Sequence, residues 1–458
     1  MAVQIVLIRF FRIDRTALCC AGRRVRVRHG VFAISIFCCV ASLPNAAKAQ
    51  LILQNFPANI PGYAPNLEGS VATHMMQEQQ ANGVEVGDFI IRPEVTETGG
   101  YDSAPIDAPN SGSAVINSQA AVRINSDWGR DALGATFSVD DHRYLNVPVA
   151  NYTNWVAGLG GSLELGNDTA TLAYSHLGEH LGPQELGVIG AATPVPYGVD
   201  DVRLSYEKLF SRFSLTPSFE FQSYKFGSSS GAAAINYDPL NHHIESGALT
   251  GNYAFSPGDD AVAIVRLSSA QFQTAPTDDY FDADGYVGLD FRGDSIIQYR
   301  ALIGYERRHF EHASNSTVSS PVFELAAVWM PTELDTVTLS GFREFSDPTS
   351  AFARNQIVTY GSLQLDHELH ENIFLRATAH VGKSNPESDI IALGGQNQTQ
   401  YGFGLAMFWG LNRNIIARLS YSFLDNQYGQ NSAAAAAATT SHRNFISNTI
   451  MLGFTFYE

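Results

Sequence analysis

Charged residues that could bind a solute recur at every second position inside apolar segments of this chain. In "IFLRATAHV" (373–381), Arg376 and His380 alternate with aliphatic residues, and Arg203 and Glu207 do the same in "DDVRLSYEK". Guanidinium and carboxylate groups bind anionic or hydroxyl-rich solutes through directed hydrogen bonds. The alternative interpretation is a lattice of Arg–Glu pairs that stiffens a wall. The same alternation selects Arg92, Arg123, Arg203, Glu207, Glu220, Arg266, Arg300, Glu306, Arg376, His380 and Arg418.

Two further stretches carry residues that bind metals elsewhere, but neither has the required spacing. "TDDYFDADGY" (277–286) resembles part of a calcium loop, yet Tyr280 stands where the first ligand belongs, so we interpret it as an acidic solvated loop. "DHELHEN" (366–372) is not H-E-x-x-H. No phosphate loop, dinucleotide fingerprint or G-x-S-x-G occurs. We therefore predict no metal, no cofactor and no enzymatic activity. The enzymatic alternative is an outer-membrane hydrolase that draws Ser, His and Asp from separate strands.

The elements that carry the charged residues have the period of strands. From residue 87 onward, segments of about 9–15 residues alternate apolar and polar positions between turn residues. Only 16% of the 458 residues are charged, against about 25% in a typical soluble domain. No apolar run is long enough for a membrane-spanning helix. These features predict an all-β protein, a transmembrane antiparallel up-and-down β-barrel of about 18 strands, with 16 as the alternative count.

The connections between these segments support the same prediction. Short links such as "LHEN" and "GLNRN" alternate along the chain with longer ones such as "KSNPESDIIALGGQNQ". Barrels of the outer membrane have short turns at one end and long loops at the other. Aromatic residues near segment ends, as in "SYKF" (223–226) and "RRHF" (307–310), are expected to form girdles at the membrane interfaces.

The first 86 residues differ from the rest. Residues 1–49 contain a basic stretch, an apolar core and "AKA", which predict a secretory signal peptide that also carries all four cysteines. Residues 50–86 are rich in Pro and Asn, and we interpret them as a periplasmic tail that is either a loose lead or a plug, with a short helix around "VATHMMQEQQ". Residues 87–458 form the predicted barrel. The net charge of −17 excludes nucleic acid as a partner.

Two motifs resemble a known family. "IIRPEVTETGGYDSAP" (90–105) is similar to the first strand of the putative beta-barrel porin 2 family, with matches at Arg92, Pro93, Gly100, Tyr101, Asp102, Ser103 and Pro105. "RNFISNTIMLGFTF" (443–456) resembles the closing strand of that family. The resemblance implies a barrel in the outer membrane of a Gram-negative bacterium, and it implies a link to exopolysaccharide systems. It implies no catalytic residue.

The expected function is a pore for hydrophilic solutes, with exopolysaccharide export as one setting. The alternative is a non-conducting structural or accessory barrel of a polysaccharide secretion system. The expected partners are outer-membrane lipid, lipopolysaccharide, the barrel insertion machinery and a polysaccharide.

Overall fold

A computed structural model of the chain describes residues 60–61, 83–106, 108, 111–188, 193–228, 236–292, 296–311, 317–347, 354–387, 397–429 and 444–458. The predicted signal peptide (1–49) and the predicted short helix lie outside the described residues. The strands are β1 Val84–Val86, β2 Phe89–Asp102, β3 Ser113–Ser126, β4 Ala132–Tyr144, β5 Tyr152–Leu165, β6 Asp168–Leu181, β7 Val195–Leu209, β8 Phe213–Phe226, β9 His242–Ser256, β10 Asp259–Phe272, β11 Tyr280–Phe291, β12 Ile297–Phe310, β13 Thr317–Thr332, β14 Asp335–Ser346, β15 Asn355–His370, β16 Ile373–Glu387, β17 Gln398–Asn412, β18 Ile415–Tyr428 and β19 Phe445–Tyr457.

Strands β2–β19 form one closed antiparallel barrel of 18 strands, which confirms the predicted fold and the larger strand count. Each strand pairs with the next along the chain, and β19 pairs back with β2 from Thr449↔Asp102 to Tyr457↔Glu94. Closure leaves no long unpaired edge, as a lipid environment requires. The 18 strands have 12 to 16 residues, more than the 9–11 or so that cross a bilayer.

The two ends of the barrel differ. At one end, here the short-turn end, successive strands are joined by two to five residues, as at 166–167 and 371–372. At the other, the long-loop end, the connections have at least six residues, and 182–194 is one of the longer ones. The strand β1 lies at the short-turn end and pairs with Phe89–Ile91 of β2. It covers the part of β2 that extends beyond the end of β19.

Outward-facing positions form an apolar belt. Leu172 is 58% exposed and Ile303 is 68% exposed, and the closing strand presents Ile450, Leu452 and Phe454 in the same way. Their neighbours in sequence point inward and are mostly small or polar. An apolar surface of this extent would be unstable in water, so the belt suits an acyl-chain environment.

The interior is not wholly polar, which corrects one expectation. Tyr224 and Phe226 of "SYKF" and Phe310 of "RRHF" are buried inside the barrel and do not form girdles. They have the same strand parity as the inward-facing Gln222 and Arg308. Together with Tyr197, Tyr280 and Phe272 they form an aromatic cluster on the lumen side of β7–β12. This cluster fills one side of the barrel near the long-loop end.

Candidate functional site

A segment of the β6–β7 connection enters the barrel and crosses it. Residues 182–188, the crossing segment, are fixed by buried glutamines of β17. The Gln398 amide donates to the carbonyl of Glu185 (3.2 Å) and accepts from the backbone N–H of Gly187 (2.5 Å). Gln400 donates to the carbonyl of Gln184 (2.8 Å). These bonds help to satisfy the backbone polar groups of the buried segment.

The tip of the crossing segment reaches the opposite wall. Leu186 packs against Phe342 of β14 and Val358 of β15, and β15 is nine strands from β6 in a ring of 18. The approach requires a glycine, because a Cβ on Gly382 would lie 2.5 Å from Leu186 Cδ2. A further bond joins the Gln184 amide to the carbonyl of Ala104 (2.6 Å). The segment therefore divides the lumen near the long-loop end.

A second insertion comes from the N-terminal part of the chain. Ile60 is fully buried and packs on Ala173 of β6. It lies over Gly160 of β5, where a Cβ would come within 2.4 Å of Ile60 Cγ2, and Pro61 lies over Gly134 of β4 in the same manner. All three wall positions face inward. The rest of the predicted tail, apart from residues 83–86, lies outside the described residues.

Most of the inward-facing arginines predicted from the sequence have an acid beside them. Arg203 contacts Asp201 (2.8 Å) and Glu220 (2.9 Å), the second lying directly opposite it on β8. Arg376 contacts Asp366 (2.6 Å), its direct partner across β15 and β16. These contacts resemble the lattice interpretation, in which wall residues neutralise one another.

The remaining predicted residues lie on the same inward faces. Arg123 contacts Glu94 (2.7 Å), Arg266 contacts Asp284 (3.8 Å), and Arg300 contacts Glu324 (3.4 Å) and Asp290 (3.9 Å). Glu306 accepts from the backbone N–H of Phe345, Glu207 is buried, His380 stacks on Tyr360 and lies over Gly402, and Arg92 is half-buried. The aspartate partners were missed in the sequence because only glutamates were matched to the arginines. Strand register identifies them, since Asp290, Asp284 and Asp366 each lie opposite an arginine.

One aspartate pair corrects the interpretation of "TDDYFDADGY" as a solvated loop. Asp282 and Asp284 lie within β11 and face inward. Arg308, directly opposite on β12, donates to Asp282 through Nε (3.1 Å) and Nη2 (3.0 Å). The strand begins at Tyr280 because the aspartates are neutralised across the strand and Tyr280 packs in the aromatic cluster.

The Arg308 group, made of Arg308, Asp282, Asp347, Asn355 and Tyr280, is buried and densely bonded. Nη1 of Arg308 donates to Asn355 (3.0 Å) and Asp347 (3.4 Å), and its guanidinium lies 3.8 Å above the Tyr280 ring. Asp347 lies just beyond the end of β14 and accepts from the Tyr280 hydroxyl (2.6 Å). Burial acts to raise the pKa of Asp347, but contacts with His242, Arg308 and Tyr280 outweigh it and lower the pKa to about 2.

Arg418 is in a different environment. It is 9% exposed on the inward face of β18, and among the described residues no acceptor bonds to its Nε or Nη2. Its guanidinium lies 5.5 Å from the Phe408 ring, which Arg376 flanks on the other side at 5.7 Å. The alternation of polar and apolar residues does not distinguish the two arginines, whereas their contacts in the structure do.

Arg418 lines a cavity of about 90 Å³ beneath the crossing segment. Pro183, Gln184 and Glu185 form its roof, and strands β2–β6, β18 and β19 supply its wall. Across the wall, one row of directly paired residues lines the cavity: Arg418, Gly453, Thr98, Asn117, His142 and Tyr152. The cavity is the candidate solute site.

Within the residues that the structure describes, no group of three His, Cys, Asp or Glu side chains could hold a metal ion. The described residues also contain no helix that could cross a bilayer.

Comparison with known proteins gives a family and several distant structures. Residues 78–455 match the family described as putative beta-barrel porin 2. OccAB2 of Acinetobacter baumannii is 14% identical, with 81% of this chain and 100% of that chain covered and a TM-score of 0.42. OccK2 of Pseudomonas aeruginosa, in complex with glucuronate, is 11% identical, with 80% of this chain and 98% of that chain covered and a TM-score of 0.42. The copper transporter OprC is 11% identical, with 82% of this chain and 81% of that chain covered and a TM-score of 0.43. No curated protein matches the sequence significantly.

Proposed function

Because this chain belongs to the putative beta-barrel porin 2 family, we propose that it forms a bacterial outer-membrane pore for small hydrophilic solutes. The apolar belt would contact lipid and lipopolysaccharide, and the short-turn end would face the periplasm. The observation that carries the proposal is the cavity beneath the crossing segment, which is lined by polar side chains inside a closed barrel. The proposal assigns transport and no catalysis.

The crossing segment is the proposed constriction. It follows β6, and Gln398 of β17 together with the Leu186 contacts on β14 and β15 hold it on the far wall, so it narrows the lumen above the cavity. Ile60 and Pro61 on β4–β6 would narrow the lumen further. We propose that the N-terminal segment from residue 50 to residue 82 acts as a partial plug.

Single-channel recording of refolded residues 50–458 tests this function. We expect small, stable conductance steps in planar bilayers and larger ones when residues 50–82 are deleted. Gln398→Ala should give larger and noisier steps, because it removes two bonds from the crossing segment. Silence of all three proteins would contradict the pore.

The second candidate is a non-conducting accessory barrel of a polysaccharide secretion system. The filling of the lumen by the crossing segment, the aromatic cluster and Ile60 favours it. In that case deletion of residues 50–82 should leave the barrel silent, and polysaccharide binding to the long-loop end should be measurable by affinity electrophoresis.

A further inference from the structure

The cavity beneath the crossing segment has unmet hydrogen-bonding capacity at two separate places. At one, Nε and Nη2 of Arg418 lack an acceptor among the described residues. At the other, Oδ1 of Asn117 and Oδ1 of Asp140 are buried and lack a donor within the same described set. Buried polar atoms are nearly always paired in folded proteins. Donors and acceptors that line one cavity are therefore groups that a polar ligand could bind.

The Arg418 end fits a carboxylate. Nε and Nη2 form the side edge of the guanidinium, which binds both oxygens of a carboxylate in parallel. The charge is permanent, because guanidinium groups stay protonated in proteins. The Phe408 ring covers one side, and the buried Ser420 hydroxyl lies two residues along the same inward face. Gly453, directly opposite, has no side chain that could fill the space beside the guanidinium.

The Asn117 end fits hydroxyl groups. Asn117 offers a neutral amide oxygen, and Asp140 offers the carboxylate oxygen that is not bonded to His142 Nε2 (3.1 Å). Both accept hydrogen bonds. Beside them the rings of His142 and Tyr152 stack at 4.4 Å, and both residues line the cavity. The other acid in this part of the wall, Asp102, already accepts from Ala104, Ser447 and Gln184.

The two ends lie at different depths in the barrel. Arg418 is the fourth residue of β18 from the short-turn end, whereas His142 is the third residue of β4 from the long-loop end. Four strand spacings of about 4.8 Å separate them along the wall, and a strand tilt of about 40° converts that into a rise of roughly 12 Å. A ligand on this row therefore extends along the barrel axis.

We propose that this row is a binding site for a small polyhydroxy carboxylate, with the carboxylate on Arg418 and hydroxyl groups on Asn117 and Asp140. The inference rests on the proposed pore function, since it names the class of solute that the pore admits. The net charge of −17 disfavours anions in general, so Arg418, whose Nε and Nη2 lack an acceptor among the described residues, supplies the local positive charge that a carboxylate needs.

Saturation-transfer NMR on the detergent-solubilised barrel tests binding independently of conduction. The probes are three six-carbon compounds: D-gluconate, D-sorbitol without the carboxylate, and hexanoate without the hydroxyls. We expect D-gluconate to bind at millimolar concentration and the other two to bind at least about tenfold more weakly, since each lacks one set of charge-assisted or neutral hydrogen bonds. Equal signals from hexanoate and D-gluconate would overturn the hydroxyl half of the site. Equal signals from D-sorbitol and D-gluconate would overturn the carboxylate half.

Matched variants locate the site. Arg418→Gln should weaken D-gluconate binding about tenfold or more and leave sorbitol unchanged. Asn117→Leu should weaken D-gluconate severalfold and leave hexanoate unchanged. The control is Arg376→Gln combined with Asp366→Asn, which removes a cation from the same wall without leaving a buried acid unpaired. An equal loss of binding in this control would overturn the assignment to Arg418.

The outcomes separate the two proposals. Binding of D-gluconate without channels would retain the site and reject the pore. Channels without D-gluconate binding would retain the pore and reject the site.

Discussion

Arg308 and Arg418 have equivalent positions in the alternation of inward and outward residues, but they differ in their hydrogen-bond partners. Each lies on the inward face of a strand, each is at least nine-tenths buried, and each has an aromatic ring beside its guanidinium. Arg308 donates to Asp282, Asp347 and Asn355. Nε and Nη2 of Arg418 have no acceptor among the described residues. A buried charge of the first kind holds a wall together, and one of the second kind is available to a ligand.

The difference lies in what surrounds each arginine. Asp282 faces Arg308 across the strand pair, and Asp347 and Asn355 reach it from both sides of the β14–β15 connection. Opposite Arg418 stand Gly453 on one side and Phe408 on the other. One region therefore carries its own counter-charges, whereas the other keeps a cation whose desolvation has no compensation within the described chain.

The largest expected loss in the free energy of unfolding follows from substitution of Arg308. Arg308→Met leaves Asp282 and Asp347 as buried carboxylates without their cation, and removal of one partner from such a group costs about 3–5 kcal/mol. Urea unfolding in lipid vesicles measures the free energy of unfolding. A loss below about 1 kcal/mol would show that the group does not stabilise the barrel.

The same substitution at Arg418 should not lower the free energy of unfolding. Arg418→Met removes a charge that has no partner in the described chain, so we expect the free energy of unfolding to stay constant or to rise. The same urea titration measures it beside Arg308→Met. A loss comparable to that of Arg308→Met would remove the distinction between the two regions.

An acid titration sharpens the comparison through Asp347. Its pKa falls to about 2 in the folded barrel, whereas an unfolded aspartate has a pKa near 3.9. The folded state therefore binds this proton less readily. The stabilisation, on the order of 2 kcal/mol, is complete above about pH 4 and is lost as the pH falls towards 2. Asp347→Asn should flatten the dependence of unfolding on pH in this window, and an unchanged slope would contradict the assignment.

An intermediate effect is expected at the crossing segment. Gln398→Ala removes two hydrogen bonds inside the barrel, one to the Gly187 N–H and one to the Glu185 carbonyl, which costs roughly 1–3 kcal/mol. Limited proteolysis should then cut within residues 182–194 of the otherwise intact barrel. Gln427→Ala, which removes an exposed glutamine from β18, is the control and should not change the cleavage pattern.

Among the ion pairs, the smallest loss in the free energy of unfolding is expected where the pair is more exposed to solvent. Glu324 is one-third exposed and lies 3.4 Å from Arg300. Exposed pairs contribute about 0–1 kcal/mol, so Glu324→Gln should change the free energy of unfolding by less than 1 kcal/mol. A loss of the size expected for Arg308→Met would mean that exposure does not rank these pairs.

The architecture could be predicted from the sequence because a barrel wall with an apolar outer face and a largely polar inner face requires apolar and polar residues to alternate along every strand. Strand number, closure of the last strand on the first and the sorting of short and long connections all follow from that alternation. Strands were predicted too short at the long-loop end, as at β11, which begins at Tyr280 inside the stretch interpreted as a loop. The interior at that end is apolar, and the contrast between inward and outward residues fades there.

The site was predictable only in part. The alternation along β18 shows that Arg418 faces inward, but the absence of an acceptor depends on residues of several other strands and of the crossing segment. The crossing segment has no period, and its anchor Gln398 is more than 200 residues away. For Tyr224 and Phe310 the sequence does predict the inward face, because they alternate in step with polar inward residues of the same strands. Their position near the strand ends led instead to the prediction of membrane-interface girdles.

The oblique course of the Arg418 row means that depth and angle inside this barrel are coupled. A molecule that moves from His142 to Arg418 moves towards the short-turn end and at the same time rotates around the barrel axis. Its hydroxyl and carboxylate groups must meet the wall in that helical order.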